Sequence, residues 1–331
     1  MDLKDGGVVE AMKQLKLNHQ FNEKDVPQIF KALINDRMSG LKEVQLVFND
    51  STSLLIFDDS QVRFKMKYSN VTITYKDINT TIVMLDPEKS IIDHLWFILK
   101  NPNIKLKTLN IIETENSKAE NRHSPKIDKK KLYTILQSMF DSIDHQIETN
   151  DFAYEGLSED ALLAMLQHVK PRTLENIILD VSLKEEGGNC QKLMGIVETD
   201  QWKQAKTISS RGVTPFKIDD FFHCEKFWLE LASVSPEDVL RVVEVRVEIL
   251  KYSITFFQRA SNAPSEKYCR LTYKTEKVDN KAMFDFLRSQ NNGSRITKAL
   301  IVQNAFDIVK SGSGKRVLLV FDENNIAISG Y

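Results

Sequence analysis

An alternation of helical and extended segments after residue 90 limits the folds that are open to this chain. Apolar residues recur first at helical spacing and then in short extended runs, and the two patterns take turns. The extended runs are centred near residues 109, 148, 177, 208, 229 and 255. An irregular spacing of about 20 to 40 residues is typical of repeat proteins that are built from one helix and one strand per unit. The pattern therefore predicts an α/β fold of consecutive helix–strand units.

Two short sequence echoes support a repeated unit. A serine precedes acidic residues and then leucine at residues 158–162 and again at residues 235–240, which is typical of a capped helix start. Residues 99–112 also resemble residues 166–179. Leucine-rich repeats usually carry an asparagine at a regular position, and asparagines do not recur regularly in this chain. We therefore expect an irregular leucine-rich-repeat-like helix/strand arc. A compact α/β sandwich is the alternative architecture.

The two ends of the chain carry other patterns. Residues 43–85 alternate apolar and polar side chains, which predicts a meander of short antiparallel strands with one buried face. Beyond residue 260 the pattern predicts a strand, a helix over residues 296–309 and a final hairpin. We expect three parts: a short helical segment 1–40, a main domain 41–260 with the meander 43–85 and helix/strand units 90–258, and a C-terminal strand–helix–hairpin extension 261–331.

Composition argues against several classes of function. The 331 residues are 42% apolar and carry a formal net charge of −1, whereas dedicated nucleic-acid binders usually show a basic excess. Three widely spaced cysteines do not suggest a disulfide framework. Neither a secretory leader nor a bilayer-spanning apolar run is visible in the sequence. We therefore expect a cytoplasmic or nuclear protein that binds neither nucleic acid nor membrane.

Motifs that would indicate catalysis were sought and not found. The run Gly312-Ser313-Gly314-Lys315 fails as a phosphate-binding loop, because Val309 replaces the first glycine and Arg316 follows the lysine. His223 and Cys224 are adjacent, and neighbouring residues do not easily face one metal ion. No G-x-S-x-G or G-x-G-x-x-G motif is present. We expect no enzymatic activity, no catalytic or metal-binding residue and no cofactor.

The segment around Trp202 carries the most specific signal. Gln201, Trp202, Lys203, Ala205 and Lys206 form a motif that is followed by Thr-Pro-Phe at residues 214–216 and Phe-Phe-His at residues 221–223. This combination resembles the FTH domain of the nematode F-box-associated (F-box A) families, over about residues 41–260. We interpret the motif as structural, with Trp202 and Ala205 on the apolar side of a short helix and the lysines in water. Anchoring of a protein interface by Trp202 is the alternative interpretation.

The resemblance implies a function in protein recognition. In that family an N-terminal F-box recruits a Skp1-type adaptor to a cullin ubiquitin ligase, and the FTH domain recognises the target protein. Residues 26–34 of this chain resemble the first F-box helix, but too few residues follow before the meander for two more helices. The F-box is therefore expected to be truncated or degenerate. If it still binds the adaptor, Ile29, Phe30 and Leu33 are the candidate contacts.

Four hypotheses follow from these observations. The leading one is a non-enzymatic protein–protein interaction module related to the substrate receptors of Skp1–cullin–F-box ubiquitin ligases. A standalone FTH binder, such as a decoy or antagonist, is the second. An enzyme whose motifs are not apparent is the third, and a nucleic-acid binder that uses Lys129, Lys130 and Lys131 is the fourth.

Overall fold

A computed structural model gives the architecture of most of the chain. The residues that it describes are 21, 26–67, 70–75, 78–82, 86–114, 126–180, 191–212, 216–231, 235, 237–242, 267–273, 286, 289, 294–297, 305–310, 316–322 and 325–330. Most of residues 1–25 of the predicted helical segment and the predicted strand centred near residue 255 lie outside this part of the chain.

Strands of the described part form one mixed β-sheet with 15 members. They are β1 (Glu43–Phe48), β2 (Thr52–Phe57), β3 (Ser60–Lys67), β4 (Asn70–Tyr75), β5 (Ile78–Ile82), β6 (Lys105–Glu113), β7 (Glu148–Glu155), β8 (Asn176–Asp180), β9 (Thr207–Arg211), β10 (Lys226–Leu231), β11 (Lys267–Tyr273), β12 (Ser294–Thr297), β13 (Ala305–Lys310), β14 (Arg316–Asp322) and β15 (Asn325–Gly330).

Helices connect many of these strands. They are α1 (Gln28–Asn35), α2 (Pro87–Leu99), α3 (Lys129–Ser142), α4 (Glu159–His168), α5 (Gln191–Val197) and α6 (Asp200–Gln204), with a 3-10 helix at Ile218–Phe221. Residues 237–242 are also helical, in agreement with the helix expected after Ser235.

The middle of the sheet is parallel and follows the order of the chain. Strands β1, β6, β7, β8, β9, β10 and β11 lie side by side, and each pairs in parallel with the next. Antiparallel strands β2 to β5 extend one side of this region, as the meander pattern predicted. Strands β15, β14, β13 and β12 extend the other side, so the sheet continues from the main domain into the C-terminal residues.

One face of the parallel region is buried under helices. Parallel crossovers of one hand place successive helices on the same face of a sheet, and α2, α3, α4 and α5 pack against their neighbours in sequence. Alternate strand residues point into this layer and are almost fully buried. They include Val44, Leu46, Leu109, Ile111, Phe152, Tyr154, Ile177, Leu179, Ile208, Phe227 and Leu229. The mixed α/β class is therefore confirmed, while the leucine-rich-repeat-like arc stays a prediction.

Helix α2 begins earlier than its sequence pattern indicated. The apolar spacing from Ile91 to Leu99 predicts a helix that Ser90 caps, but the cap is Asp86, whose carboxylate accepts a hydrogen bond from the Lys89 amide nitrogen at 3.0 Å. Pro87 occupies the first helical turn, where its missing N–H and fixed φ are favourable. Ser90 is buried within the helix. The expected cap at Ser158 is confirmed, since its hydroxyl accepts from the Ala161 amide at 3.3 Å.

The predicted helix over residues 296–309 is wrong in the part that the structure describes. Residues 296–297 lie in β12 and residues 305–309 lie in β13, and these two strands pair antiparallel with each other. Short apolar runs do not distinguish a helix from a strand, and Phe306 and Ile308 flank Asp307 with the period of a strand. The final hairpin, β14 and β15, is confirmed.

Candidate interaction surface

In the described part of the chain, the second face of the parallel sheet is less buried than the first and presents side chains in rows. We call it the open face, and its middle row consists of residues that pair directly from strand to strand. That row is Gln45, Asn110, Ala153, Ile178, Ser209 and Trp228. Five of the six residues are half-buried, and Ile178 retains 36% of its surface accessible. A large apolar side chain therefore lies near the centre of a surface that the core does not use.

A second row runs along the carboxyl ends of the same strands. It is formed by Val47, Ile112, Glu155, Asp180 and Arg211, each paired with the next. Glu155 and Asp180 are directly opposite each other, an arrangement of like charges that disfavours the folded sheet. This part of the open face is therefore acidic, and the repulsion between the two carboxylates slightly lowers the stability of the fold.

Trp228 and Arg211 add an aromatic and cationic element to the open face. The guanidinium carbon of Arg211 lies 5.7 Å from the centroid of the Trp228 ring, within the range of a cation–π contact. Nearby, Glu230 Oε2 accepts a hydrogen bond from the Gly212 amide at 2.8 Å.

The opposite side of the open face is apolar. Val47 pairs with Leu54 of β2 and with Ile112 of β6, and all three side chains are half-buried. Gln45 pairs in the same way with Ile56. The open face thus changes from apolar near β1 and β2 to acidic near β7 and β8.

A cavity of about 680 Å³ lies at the carboxyl ends of the strands, between α3 and α4. It is lined by Lys129, Lys130, Tyr133, Thr134, Gln137, Leu157, Ser158, Glu159 and Asp160. Leu157 is 46% exposed and lies two residues beyond the end of β7.

Two buried tyrosines hold the loop that carries Leu157. Tyr133 Oη donates to Glu113 Oε2 at 2.5 Å and accepts a hydrogen bond from the Leu157 amide at 3.2 Å. Tyr154 Oη donates to the Ser158 carbonyl at 2.8 Å. Burial, as the largest cause, raises the pKa of both phenols above the ordinary value. Both hydroxyls therefore stay protonated and act as donors that fix the loop.

Within the described residues, no group of three or more His, Cys, Asp or Glu side chains could hold a metal ion. His223 Nε2 lies 2.8 Å from the Trp202 carbonyl and 3.4 Å from Cys224 Sγ, and Cys224 is buried. These contacts place the His–Cys pair in the packing around Trp202.

The family motif lies on the covered side of the sheet. Trp202 is 1% exposed, and its Nε1 donates to the Asp220 carbonyl at 2.9 Å. Its ring contacts Phe216 and Phe221, with centroids at 5.0 and 5.2 Å. Gln201 Nε2 donates to the Val169 carbonyl at 2.6 Å, which ties α6 to the residue that ends α4.

The remaining motif residues divide between core and solvent. Ala205 is buried, with 3% of its surface exposed. Lys203 forms an ion pair with Glu198 at 2.9 Å, and Lys206 forms one with Glu175 at 2.6 Å. Both lysine side chains are about half exposed, so their ammonium groups remain in water.

The expected adaptor residues lie on α1. Phe30 is fully buried, and its ring lies 4.6 Å from the His94 ring and 5.9 Å from the Phe57 ring. The side chains of Ile29 and Leu33 lie outside the described part of the structure. Contact of these three residues with an adaptor stays a prediction. In this conformation the Phe30 side chain packs in the core.

Sequence reasoning missed the open face as a surface. Its residues come from several strands, and their alignment depends on a register that no single segment specifies. The sequence pattern also predicts that the strand centred near residue 148 ends near residue 152, which leaves Glu155 and Leu157 without a structural position. The period-2 alternation of β8 was the one available signal, because it places Ile178 on the face opposite Ile177 and Leu179.

Comparisons with known proteins bear on the segment that contains most of this surface. Neither a curated protein nor a solved structure matches the chain. No helix in the described ranges has both the length and the apolar character that a bilayer crossing requires. The family model of the FTH domain matches residues 130–269, from α3 to the first residues of β11. The resemblance expected from the Trp202 motif is therefore confirmed over that segment, which is similar to an FTH domain.

Proposed function

We propose that this chain is a non-enzymatic protein-interaction module whose open face binds a target protein. The observation that carries the proposal is the exposure of Ile178 and the surrounding middle row on one face of a sheet whose other face is fully packed. Parallel helix–strand repeats often use such an uncovered strand face for binding. The similarity of residues 130–269 to an FTH domain supports the same function. As an interaction module of the F-box-associated type, the protein would select targets for a Skp1–cullin ubiquitin ligase, in the cytoplasm or nucleus.

An open-face variant tests the proposed binding surface. We expect Ile178→Arg to reduce capture of partner proteins from a cell extract, because it places a charge in the middle row without touching the core. Partners would be quantified by mass spectrometry against the wild-type chain. The matched control is Gln167→Arg, an exposed position on α4 of the helical layer. Binding through the open face would be contradicted if Gln167→Arg removed the same partners, or if Ile178→Arg removed none.

A standalone binder is the second candidate, and the position of Phe30 favours it. Helix α1 packs its aromatic residue into the core, and β1 begins only a few residues after α1 ends. A helix whose aromatic side chain is buried in the core exposes less apolar surface for contact with an adaptor.

Adaptor binding distinguishes the two candidates. The purified chain would be mixed with a Skp1-type adaptor, and complex formation measured by size-exclusion chromatography. Ala32 is exposed on α1, so Ala32→Arg changes the surface of the helix and leaves the Phe30 packing intact. A complex that Ala32→Arg weakens would support ligase recruitment through α1. Absence of a complex with the wild-type chain would leave the standalone binder.

A further inference from the structure

We propose that the target segment bound by the open face is basic, with lysine or arginine side chains next to bulky apolar ones. This inference rests on the proposed function and specifies the chemistry of the partner. It follows from the charge and the exposed apolar groups at the carboxyl ends of β7 and β8.

The charge of this region is the first step. Glu155, Asp180 and Glu230 lie along the carboxyl ends of the strands, and Arg211 is the basic residue of the same row. The whole chain has a net charge of −1, so an acidic excess here is a local property of the surface. Within the described residues, neither Glu155 nor Asp180 forms an ion pair. A partner with positive charges would relieve the repulsion between these two opposed carboxylates.

Exposed apolar groups are the second step. In the described part of the chain, Leu157 and Ile178 are the large hydrophobic residues that are exposed, at 46% and 36%. Ile178 precedes Asp180 by two residues on the same face of β8, so an apolar and an acidic side chain lie side by side on the open face. Leu157 lies beyond the end of β7 and lines the cavity between α3 and α4. The Gly156 amide donates to the Asp180 carbonyl at 3.1 Å, which holds the Leu157 loop against the end of β8.

The patch disfavours other classes of ligand. Phosphate groups of nucleic acids and anionic lipids would be repelled by Glu155 and Asp180. A second copy of this chain would have to supply a basic segment, and its Lys129–Lys131 run is largely used internally. Lys129 pairs with Asp50 at 2.7 Å, and Lys131 pairs with Asp86 at 2.9 Å. A basic and apolar segment of another protein is the occupant that fits both properties of the patch.

A peptide titration tests the proposal. The probe is a fluorescent peptide of lysine and leucine, and its acidic counterpart contains glutamate in place of lysine. Binding to the full chain would be followed by fluorescence anisotropy at low and high salt. We expect the basic peptide to bind and the acidic one not to bind, with affinity that falls as salt rises. The double variant Glu155→Lys with Asp180→Lys should weaken the basic peptide at least tenfold, a fold-change of about 1.4 kcal/mol.

Matched variants make the result specific. Asp141→Lys with Asp144→Lys changes the net charge equally but lies on the helical side, at the end of α3, so its affinity should equal that of the wild type. Glu155→Gln with Asp180→Asn removes charge at nearly constant shape and should give an intermediate loss. Thermal melts followed by circular dichroism would show that each variant is folded.

Several results would overturn the proposal. One is binding of the acidic peptide, of single-stranded DNA or of phosphatidylserine vesicles to the wild-type patch. Another is an equal loss of affinity for the basic peptide in the helical-side variant. A third is that the basic peptide does not bind. The capture experiment with Ile178→Arg does not depend on partner charge. If the peptide fails while Ile178→Arg still removes partners, the basic segment is wrong and the interaction module stands. If Ile178→Arg removes none, the proposed function itself falls.

Discussion

His94 is a fully buried imidazole that packs against two phenylalanine rings. Its ring lies 4.6 Å from the Phe30 ring and 4.9 Å from the Phe64 ring, and its Nδ1 is 2.7 Å from the Ser90 carbonyl. Burial lowers the pKa of His94 to about 4, against the weaker opposing effect of the Ser90 hydrogen bond. The imidazole is therefore neutral in the folded protein near neutral pH.

The buried imidazole predicts a loss of stability in mild acid. Between pH 6.5 and about 4 the unfolded chain binds a proton at His94 and the folded chain does not, so the free energy of unfolding falls as pH falls. The full effect is about 3 kcal/mol, from a pKa difference of more than two units. Urea unfolding at several pH values would measure it. His94→Asn, which keeps a donor near the Nδ1 position, should reduce this pH dependence; an unchanged slope would contradict the prediction.

Trp202 predicts a stability effect that is separate from binding. Trp202→Phe removes the hydrogen bond to the Asp220 carbonyl and part of the ring contact with Phe216, so it should cost about 1–3 kcal/mol. Trp228→Phe on the open face is the matched control and should cost less, because that ring is only partly buried. Denaturant unfolding of both variants would measure the difference. Equal losses would contradict a structural role that is specific to Trp202.

The loop between β7 and α4 illustrates constraints at the scale of an element. A Cβ at Gly156 would collide with the Tyr133 hydroxyl and would lie 3.0 Å from the Tyr154 hydroxyl. The glycine thus permits the tyrosines to approach the loop backbone and to hold Leu157 and Ser158 in place. A polar network, rather than an unusual backbone angle, requires glycine at this position.

A double-mutant cycle tests this packing. Gly156→Ala alone should destabilise the fold by about 1–3 kcal/mol, because the Tyr133 ring must shift within a close-packed region. Tyr133→Phe removes the colliding oxygen, at the cost of the hydrogen bond to Glu113. The double variant should be more stable than the sum of the single changes predicts. Simple additivity in thermal or chemical unfolding would contradict the collision.

Local sequence signals were sufficient for most individual elements. Alternation in residues 43–85 predicted the meander, and helical spacing with a serine cap predicted α4. Two positions could cap α2, and the helix starts early because Asp86 followed by Pro87 is a stronger helix start than Ser90. The error at residues 296–309 has a different cause. Strand β13 is stabilised by pairing with β14, and that long-range contact is absent from the local pattern.

At the scale of the whole molecule, the sheet is a chain of nearest-neighbour pairings. Strands β7, β8, β9 and β10 each pair with the strands that come before and after them in sequence, whereas β6 pairs with β1 and β7. The order of strands and their register could not be predicted from sequence, because both depend on pairing between distant segments. The acidic pair Glu155 and Asp180 exists only through that register, so the candidate surface was inaccessible to motif reasoning.

Hydrogen exchange should reveal this arrangement. Strands β6, β7 and β8 have partners on both sides and a buried face, so their amides should exchange most slowly. Strands β5 and β12 are the two ends of the sheet and should exchange fastest. Mass spectrometry of peptic fragments after timed exchange in D₂O would measure the gradient. Uniform protection across the sheet would indicate one global opening and contradict the prediction.

The parallel sheet has a packed face and an open face, and natural selection acts differently on the residues of each. Positions such as Ile177 and Leu179 are constrained by folding, while Ile178 between them is not. Substitutions in the outward rows can therefore accumulate with little loss of stability. One backbone can then display many different recognition surfaces, as an engineered library does on a fixed scaffold. Closely similar chains could diverge in their targets through these rows while the residues around Trp202 remain the same.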